Sequence, residues 1–385
     1  GGLALAMLLG QKDGLPEDDM DAFRSAGVAH IVAVSGLHVG ILANVLFWLL
    51  ERTRLRRSWR TALVIAFLAL YGVLTGFSPS TVRAAVMMAL VLIGRLHGLR
   101  SDPVITLSAA ILAVLLMNPL QLFSASFLLS FSAVGGILLL YPRLHRLIAN
   151  RLGVKAPWRS LARAPGALPR KLAIRALELL SVSLAAQLGV LIPTACLFHQ
   201  LPLYGLLVNL IVVPLAGVLV PLYALVLIVS PLPGLNLAVG WVARVLSRFL
   251  LWLTGTVAQL PYASIRIATP TLEMILAFIV LLLLCSRLGL HVPLRRRIVA
   301  MALCVTVGLA GWAARQNLPT RYIQLDVGRA DAALLLGPGQ TIVIDVGVYG
   351  TEVLGYLQAE GRDIDLLFLT HLHIDHAGGV SALLD

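Results

Sequence analysis

Six consecutive positions near the end of the chain, His371-Leu-His373-Ile-Asp375-His376, carry three imidazoles and a carboxylate. They follow directly on the apolar run Leu366 to Thr370, which reads as a strand. Side chains two apart on an extended segment point the same way, so His371 and His373 can reach one borderline-soft cation. Asp375 and His376 then offer an oxygen and a nitrogen to a second ion. A bridged pair of ions makes a nucleophile at neutral pH and clamps an in-line phosphoryl displacement. The pattern therefore predicts a divalent-metal centre, zinc or manganese by its mixed donors, with Asp375 as the residue on which any hydrolysis depends most. A chance His cluster in a surface loop is the plainer alternative.

The residues before the motif supply elements to position it. Ile323 to Gly328 and Ala332 to Leu336 read as two strands, Gly337-Pro-Gly339 as a turn, and Thr341 to Asp345 as a third strand. Thr351 to Glu360 suits an amphipathic helix capped by Thr351 and stopped by Gly361. Across residues 321–385 the segment resembles the opening half of the αββα fold of the metallo-β-lactamase superfamily. That resemblance implies that two further His and a bridging Asp come from later in the chain. No His follows His376. The αββα domain is thus expected to be truncated here, its ion affinity weak and its hydrolytic site incomplete.

Composition sets the rest of the chain apart. With 59% apolar and 12% charged residues and a mean hydropathy of +0.92, there is too little polar surface to cover a water-soluble globule. Apolar stretches long enough to cross a bilayer recur near 28–50, 61–79, 82–99, 103–120, 122–141, 176–199, 203–230, 236–260, 268–286 and 298–314. The fold class expected is a multi-span α-helical membrane domain of about ten spans, residues 1–316, followed by the truncated α/β domain, residues 321–385. Leu3 to Leu9 looks like the tail of an earlier span, and no signal peptide is visible. Arg244 and Arg248, one turn apart, make 236–260 either a span facing a wet cavity or an interfacial helix. Pro214 and Pro221 make 203–230 a candidate for a kinked or re-entrant segment. Cys196, Cys285 and Cys304 lie in or beside apolar spans and suggest no disulfide framework.

The net charge of +12 gathers in a few connections. Five arginines fall between Arg52 and Arg60, Arg95 and Arg100 flank another turn, nine basic residues fall between Arg143 and Arg175, and Arg287 with Arg295 to Arg297 form the last cluster. The positive-inside rule places all four in the cytoplasm. Alternation through ten spans satisfies them together and leaves the carboxy-terminal domain extracytoplasmic. Attraction to anionic membrane lipid, about 1 kcal/mol per charge, explains most of these clusters. Ala156 to Pro169 reads as a flexible cytoplasmic connector.

Three stretches within the spans carry polar groups at unusual depth. In the first, His38 stands between Gly36 and Gly40. In the second, Gly72 and Gly76 run into Pro79, and Arg83 opens the next span. The third runs from Gln187 through Tyr204 to Asn209 and Pro214. Polar side chains in hydrocarbon cost several kcal/mol unless they pair or meet water. Each stretch alone fits helix-to-helix glue; the three together favour a polar translocation route.

Four segments then carry a second resemblance. Ser35-Gly-Leu-His-Val39, Thr75-Gly-Phe-Ser-Pro79 with Arg83-Ala84, Ser124 to Phe131, and Phe198-His-Gln-Leu-Pro-Leu-Tyr-Gly-Leu-Leu-Val-Asn209 occur in one order and end in the metal motif. They resemble the ComEC family of bacterial competence channels for DNA uptake over nearly the whole chain. The resemblance implies a multi-pass protein of the bacterial cytoplasmic (inner) membrane that passes one strand of transforming DNA. It also implies a metal domain that degrades the other strand outside. Double-stranded DNA outside and single-stranded DNA in transit would be its ligands, with a DNA receptor and a cytoplasmic motor as partners and homo-oligomerisation open. His38, Arg83, Gln187 and Asn209, with Arg244 and Arg248, are the candidates to line the path. Two departures stand out. The family's extracytoplasmic OB-like domain is absent from this sequence, and its Asp-Val-Gly-Gln-Gly-Asp turn appears as Asp326-Val-Gly-Arg329-Ala330-Asp331. A membrane-tethered metallo-hydrolase and a solute or lipid carrier with a vestigial domain are the rival readings. An anchor needs one or two spans, and a carrier should show two related halves, which are not seen.

Overall fold

In the computed structural model, residues 1–385 are described except 12, 100, 101, 152–167, 287, 317, 318 and 385. The connector expected at Ala156 to Pro169 lies almost wholly outside the described residues. The chain divides into two compact units, one of residues 1–190 with 202–265, the other of residues 191–201 with 266–385.

The first unit is helical. Its elements are α1 (Gly2–Leu9), α2 (Glu17–Ser25), α3 (Gly36–Glu51), α4 (Arg57–Leu74), α5 (Pro79–Leu96), α6 (Pro103–Met117) and α7 (Ala125–Arg151). They are followed by most of α8 (Leu168–Phe198), then α9 (Gly205–Ile228) and α10 (Pro233–Ala258). Every apolar stretch expected from the sequence carries a helix. Among the described residues seven helices are long and apolar enough to span a membrane, while Gly36–Glu51, Pro103–Met117 and Leu272–Cys285 are apolar but shorter. Pro233–Ala258 is among the seven. One uninterrupted helix, Gly205–Ile228, passes through both Pro214 and Pro221, so neither proline ends it as a re-entrant turn would.

Local chemistry sets the boundaries. Ser78 caps α5 by accepting from the Thr81 amide at 3.4 Å, and Pro79 takes the first helical position, where its missing N–H costs nothing. Asp102 caps α6 by accepting from Val104 at 2.7 Å. Leu3, Met7, Phe23 and Ile31 bury against Val212, Ala216, Leu219 and Leu250. Val39, Ala43, Val64, Leu68 and Tyr71 form a second cluster, and the Tyr71 hydroxyl donates to the Leu8 carbonyl at 2.6 Å. Two glycines let α7 and α8 touch backbone to backbone. A Cβ on Gly136 would stand 2.5 Å from the Ala185 carbonyl oxygen and 2.7 Å from the Gly189 Cα.

The second unit holds the hairpin of α11 (Leu272–Cys285) and α12 (Leu294–Gln316), then a mixed sheet. Its strands are β1 (Arg321–Gln324), β2 (Ala332–Gly337), β3 (Gln340–Val346) and β4 (Leu366–Phe368), in that order across the sheet. The first three run antiparallel and β4 joins β3 in parallel. Gly337 pairs with Gln340 across the two-residue turn Pro338-Gly339. The crossover to the parallel strand is α13 (Thr351–Glu360), the helix expected from the sequence. Its cap is Gly350 rather than Thr351, whose hydroxyl bonds Glu352 at 2.9 Å instead. Leu334, Leu336, Val343 and Val346 bury against Val353 and Leu357 of this helix. Two short turns, α14 (Ile374–Ala377) and α15 (Val380–Leu384), end the unit.

Candidate functional site

The metal motif leaves β4 and turns through Thr370 into α14, whose cap position is His373. The His376 and Ala377 amides donate to the His373 carbonyl at 3.0 and 2.9 Å, which folds the loop back on itself. That turn collects the donors. His371, His373 and Asp375 each offer one ligand atom, all within 4.8 Å of one another. The His371 ring lies 4.8 Å from that of His373 and 3.9 Å from that of His376, centroid to centroid.

His376 is held differently. Its Nδ1 is 2.8 Å from Asp345 Oδ2, and its Nε2 faces Asp375 at 3.6 Å and Asp331 at 3.8 Å. Asp345 closes β3 and is buried, with a positive φ of 56°. It also accepts from the Thr370 amide at 2.8 Å and the Thr370 hydroxyl at 2.7 Å. Burial works to raise the Asp345 pKa, but the bonds from His376 and Thr370 outweigh it and hold the carboxyl below its ordinary value. The same bond to Asp345 is the main cause that raises the His376 pKa, with Asp375 and Asp331 adding to it. An ionised carboxylate can only accept, so in the neutral ring the proton sits on His376 Nδ1 and Nε2 carries the lone pair, and in the charged ring both nitrogens carry protons. A metal-binding imidazole is oriented in this way by a carboxylate behind it.

The donors fit a divalent ion: two imidazoles and a carboxylate converge, and a third imidazole is turned toward them. The sequence grouped His371 with His373, and Asp375 with His376; the structure brings Asp375 together with the first two. Asp345 was not singled out beforehand. Its signal was a carboxylate closing an otherwise apolar strand, just before Gly347. The Asp331 loop reaches the site as well, its amide donating to the Asp375 carbonyl at 3.2 Å and its carbonyl accepting from Gly347 at 3.0 Å.

Within the first unit, the polar residues of the spans occupy separate positions. Arg83 on α5 donates from Nε to the Ser130 hydroxyl at 2.8 Å, and its Cζ stands 6.0 Å from the Phe131 ring centroid. Its Nη2 lies so close to Gly36 that a Cβ there would meet it at 2.6 Å. Three of the four signature segments thus meet at one guanidinium. Ser80 adds a bond to the Val34 carbonyl at 2.7 Å. His38 is fully buried; its Nδ1 accepts from the Ser35 amide at 3.4 Å, and its Nε2 has no partner among the described residues. Asn209 on α9 is buried with its Oδ1 equally unpartnered. Gln187 on α8 sits against Gly205, its Nε2 3.0 Å from where a Cβ would be. Arg244 and Arg248 are exposed on α10, away from the face that buries Ala243, Leu250 and Thr254.

Comparison with known proteins agrees with both halves of this description. A family model described as competence protein matches residues 7–317, and one described as metallo-β-lactamase superfamily matches residues 325–385. ComE operon protein 3 of Bacillus subtilis (strain 168) is 28% identical over 100% of this chain and 49% of its own length. Competence protein ComA of Neisseria gonorrhoeae is 30% identical over 99% and 52%, respectively. Recombination protein 2 of Haemophilus influenzae is 27% identical over 100% and 52%. This chain therefore spans about half the length of the curated relatives it matches. No solved structure matches it. With one model covering most of the chain, the chain belongs to the competence protein family, of ComEC type, and carries a metallo-β-lactamase superfamily segment after its membrane helices.

Proposed function

We propose that this chain forms the membrane channel through which one strand of transforming DNA crosses the bacterial cytoplasmic membrane. In this reading about ten helices span, the three shorter ones included, and the sheet-bearing segment lies on the extracytoplasmic side. The observation that carries the reading is Arg83, a guanidinium half-buried among apolar helices and shared by Gly36 and Ser130 from two other signature segments. A fixed cation at the start of a span is suited to meet phosphate, and His38, Gln187 and Asn209 add polar groups at depth. Encounter with the polyanion would be electrostatic and weaken with salt. The sequence holds no phosphate-binding Gly-Lys-Ser/Thr loop, so a separate motor would pull the strand and a receptor would deliver it.

The sheet-bearing segment would hydrolyse the strand that is not transported. His371, His373 and Asp375, with His376 beside them, would hold divalent metal, zinc or manganese. Metal there supplies a water of lowered pKa for attack on a phosphodiester. Asp345 keeps the His376 Nε2 lone pair turned inward, and Thr370 keeps Asp345 ionised. Flux of labelled single-stranded DNA into liposomes bearing the protein, compared with flux of small anions, tests the channel. DNA flux lost in Arg83→Glu supports it. Equal passage of small anions with no DNA transfer would sink it in favour of a carrier.

A further inference from the structure

We infer that Arg315, at the end of the last membrane helix, is a positioning residue for the metal loop and acts through the helix Thr351–Glu360 as a strut. The inference rests on the reading of His371 to His376 as a metal loop, and the test below separates the two.

At its carboxy-terminal end the strut is clasped. Arg315 Nη2 donates to the Ala359 carbonyl at 3.0 Å and lies 3.3 Å from Glu360 Oε2, while Nη1 donates to the Thr269 carbonyl. Arg321 reaches the same Glu360 oxygen at 3.3 Å, and the Tyr356 hydroxyl donates to the other at 3.4 Å. The Thr269 amide closes the ring by donating to Ala359 at 2.9 Å. Arg315 and Glu360 are only 20% and 16% exposed, so this pair is less screened than the open Arg266–Asp363 pair beside it, at 68% and 87%. A cation on the last carbonyls of a helix also meets the negative end of its dipole. Gly361 then turns the chain with φ 66°, and a Cβ there would meet Ala268 at 2.9 Å. The fit leaves no room for slip.

The opposite end of the strut abuts the metal loop. Gly350 caps it with φ 70°, and a Cβ there would stand 2.5 Å from the Gly379 carbonyl oxygen. Gly379 donates to the Gly347 carbonyl at 3.0 Å, and Gly378 to Ile374 at 3.0 Å. Both follow His376 within three residues. Between the ends, Val353 and Leu357 are locked into the sheet's core. Ten helical residues make a rigid link of about 15 Å between the two junctions. Displacing the helix end at Arg315 therefore displaces the backbone on which His376 and Asp375 stand.

The test uses the whole chain in lipid nanodiscs without metal, read by hydrogen exchange, and then titrated with zinc alone. Arg315→Met and Glu360→Gln should each speed exchange of the amides of residues 370–379 by about tenfold, while residues 332–346 stay protected. Arg266→Ala, which breaks the exposed pair on the same surface, should leave residues 370–379 unchanged. Zinc affinity should fall in step in the first two variants and hold in the third. Faster exchange confined to residues 266–271 and 356–363 would overturn the inference and leave Arg315 a tether. An equal rise throughout the sheet would overturn it too, as simple loss of fold. If the unaltered chain binds no zinc, the metal reading fails while exchange still decides the coupling.

Discussion

His376 Nδ1 meets the buried carboxylate of Asp345 at 2.8 Å, 31 positions earlier in the chain, so the end of an internal strand fixes the ring that faces the candidate metal ligands. Strand and loop are thereby tied into one structural piece.

Removing that carboxylate should show it. Asp345→Ala is expected to lower zinc affinity by roughly 10–100-fold, because His376 loses the group that selects its tautomer and orientation. The same change strands the Thr370 amide, at a cost of about 1–3 kcal/mol in stability. Competition titration against a chromophoric chelator, with a parallel thermal melt, measures both. Unchanged affinity would assign Asp345 to folding alone.

The pair also predicts a pH window in the metal-free chain. Asp345, whose pKa is lowered, contributes stability that is present above its unfolded value of about 3.8 and is lost as pH falls through its folded value. His376, whose pKa is raised, contributes stability that is present below about 6.5 and is lost as pH rises through its folded value. Both are in full force between about pH 4 and 6.5. Melting temperature should peak there and flatten with pH in Asp345→Asn. Zinc must displace a proton held by His376, so affinity should climb above pH 6.5.

Arg83 can be probed without touching its charge. Gly36→Ala puts a methyl 2.6 Å from Nη2 and should push the flexible guanidinium aside, leaving the helices packed. Transformation should drop sharply at normal protein level, and Arg83→Glu should abolish it. Arg83→Lys should retain part, since an ammonium keeps the charge but not the Nε bond to Ser130. Normal uptake in Arg83→Glu would remove this residue from the DNA route.

His38 and Gly136 separate route from scaffold. His38→Ala removes a ring whose Nδ1 accepts from the Ser35 amide and whose Nε2 is unpartnered at depth among the described residues; uptake is expected to fall while membrane insertion holds. Gly136→Leu drives a side chain into the Ala185 and Gly189 backbone and should instead cost about 1–3 kcal/mol or more, seen as less folded protein in detergent. Matching behaviour of the two variants would make His38 a packing residue.

Much of this was readable from the chain. Hydropathy located a helix at every expected stretch, because in a bilayer an apolar segment must satisfy its own backbone. The helix Thr351–Glu360 and its neighbouring strands followed from turn residues and short apolar runs. Helix length was less legible: the stretch expected over 28–50 begins its long helix only at Gly36, after the polar cap Ser35, and the one expected over 103–120 starts at Pro103 but ends at Met117. The cluster of His371, His373, Asp375 and His376 stood out by spacing, whereas Asp345 and Arg315 did not. Each acts on a partner dozens of residues away, and only the fold brings them together.

The hairpin of Leu272–Cys285 and Leu294–Gln316 joins helices of 14 and 23 residues, about 21 and 35 Å long. A hydrocarbon layer of about 30 Å cannot match both. If both cross, the longer must lean while the shorter draws the lipid surface inward beside it. Bilayer thickness would then set the angle at which Arg315 is presented to the sheet, so acyl-chain length becomes a variable that reaches the metal loop without any change in sequence.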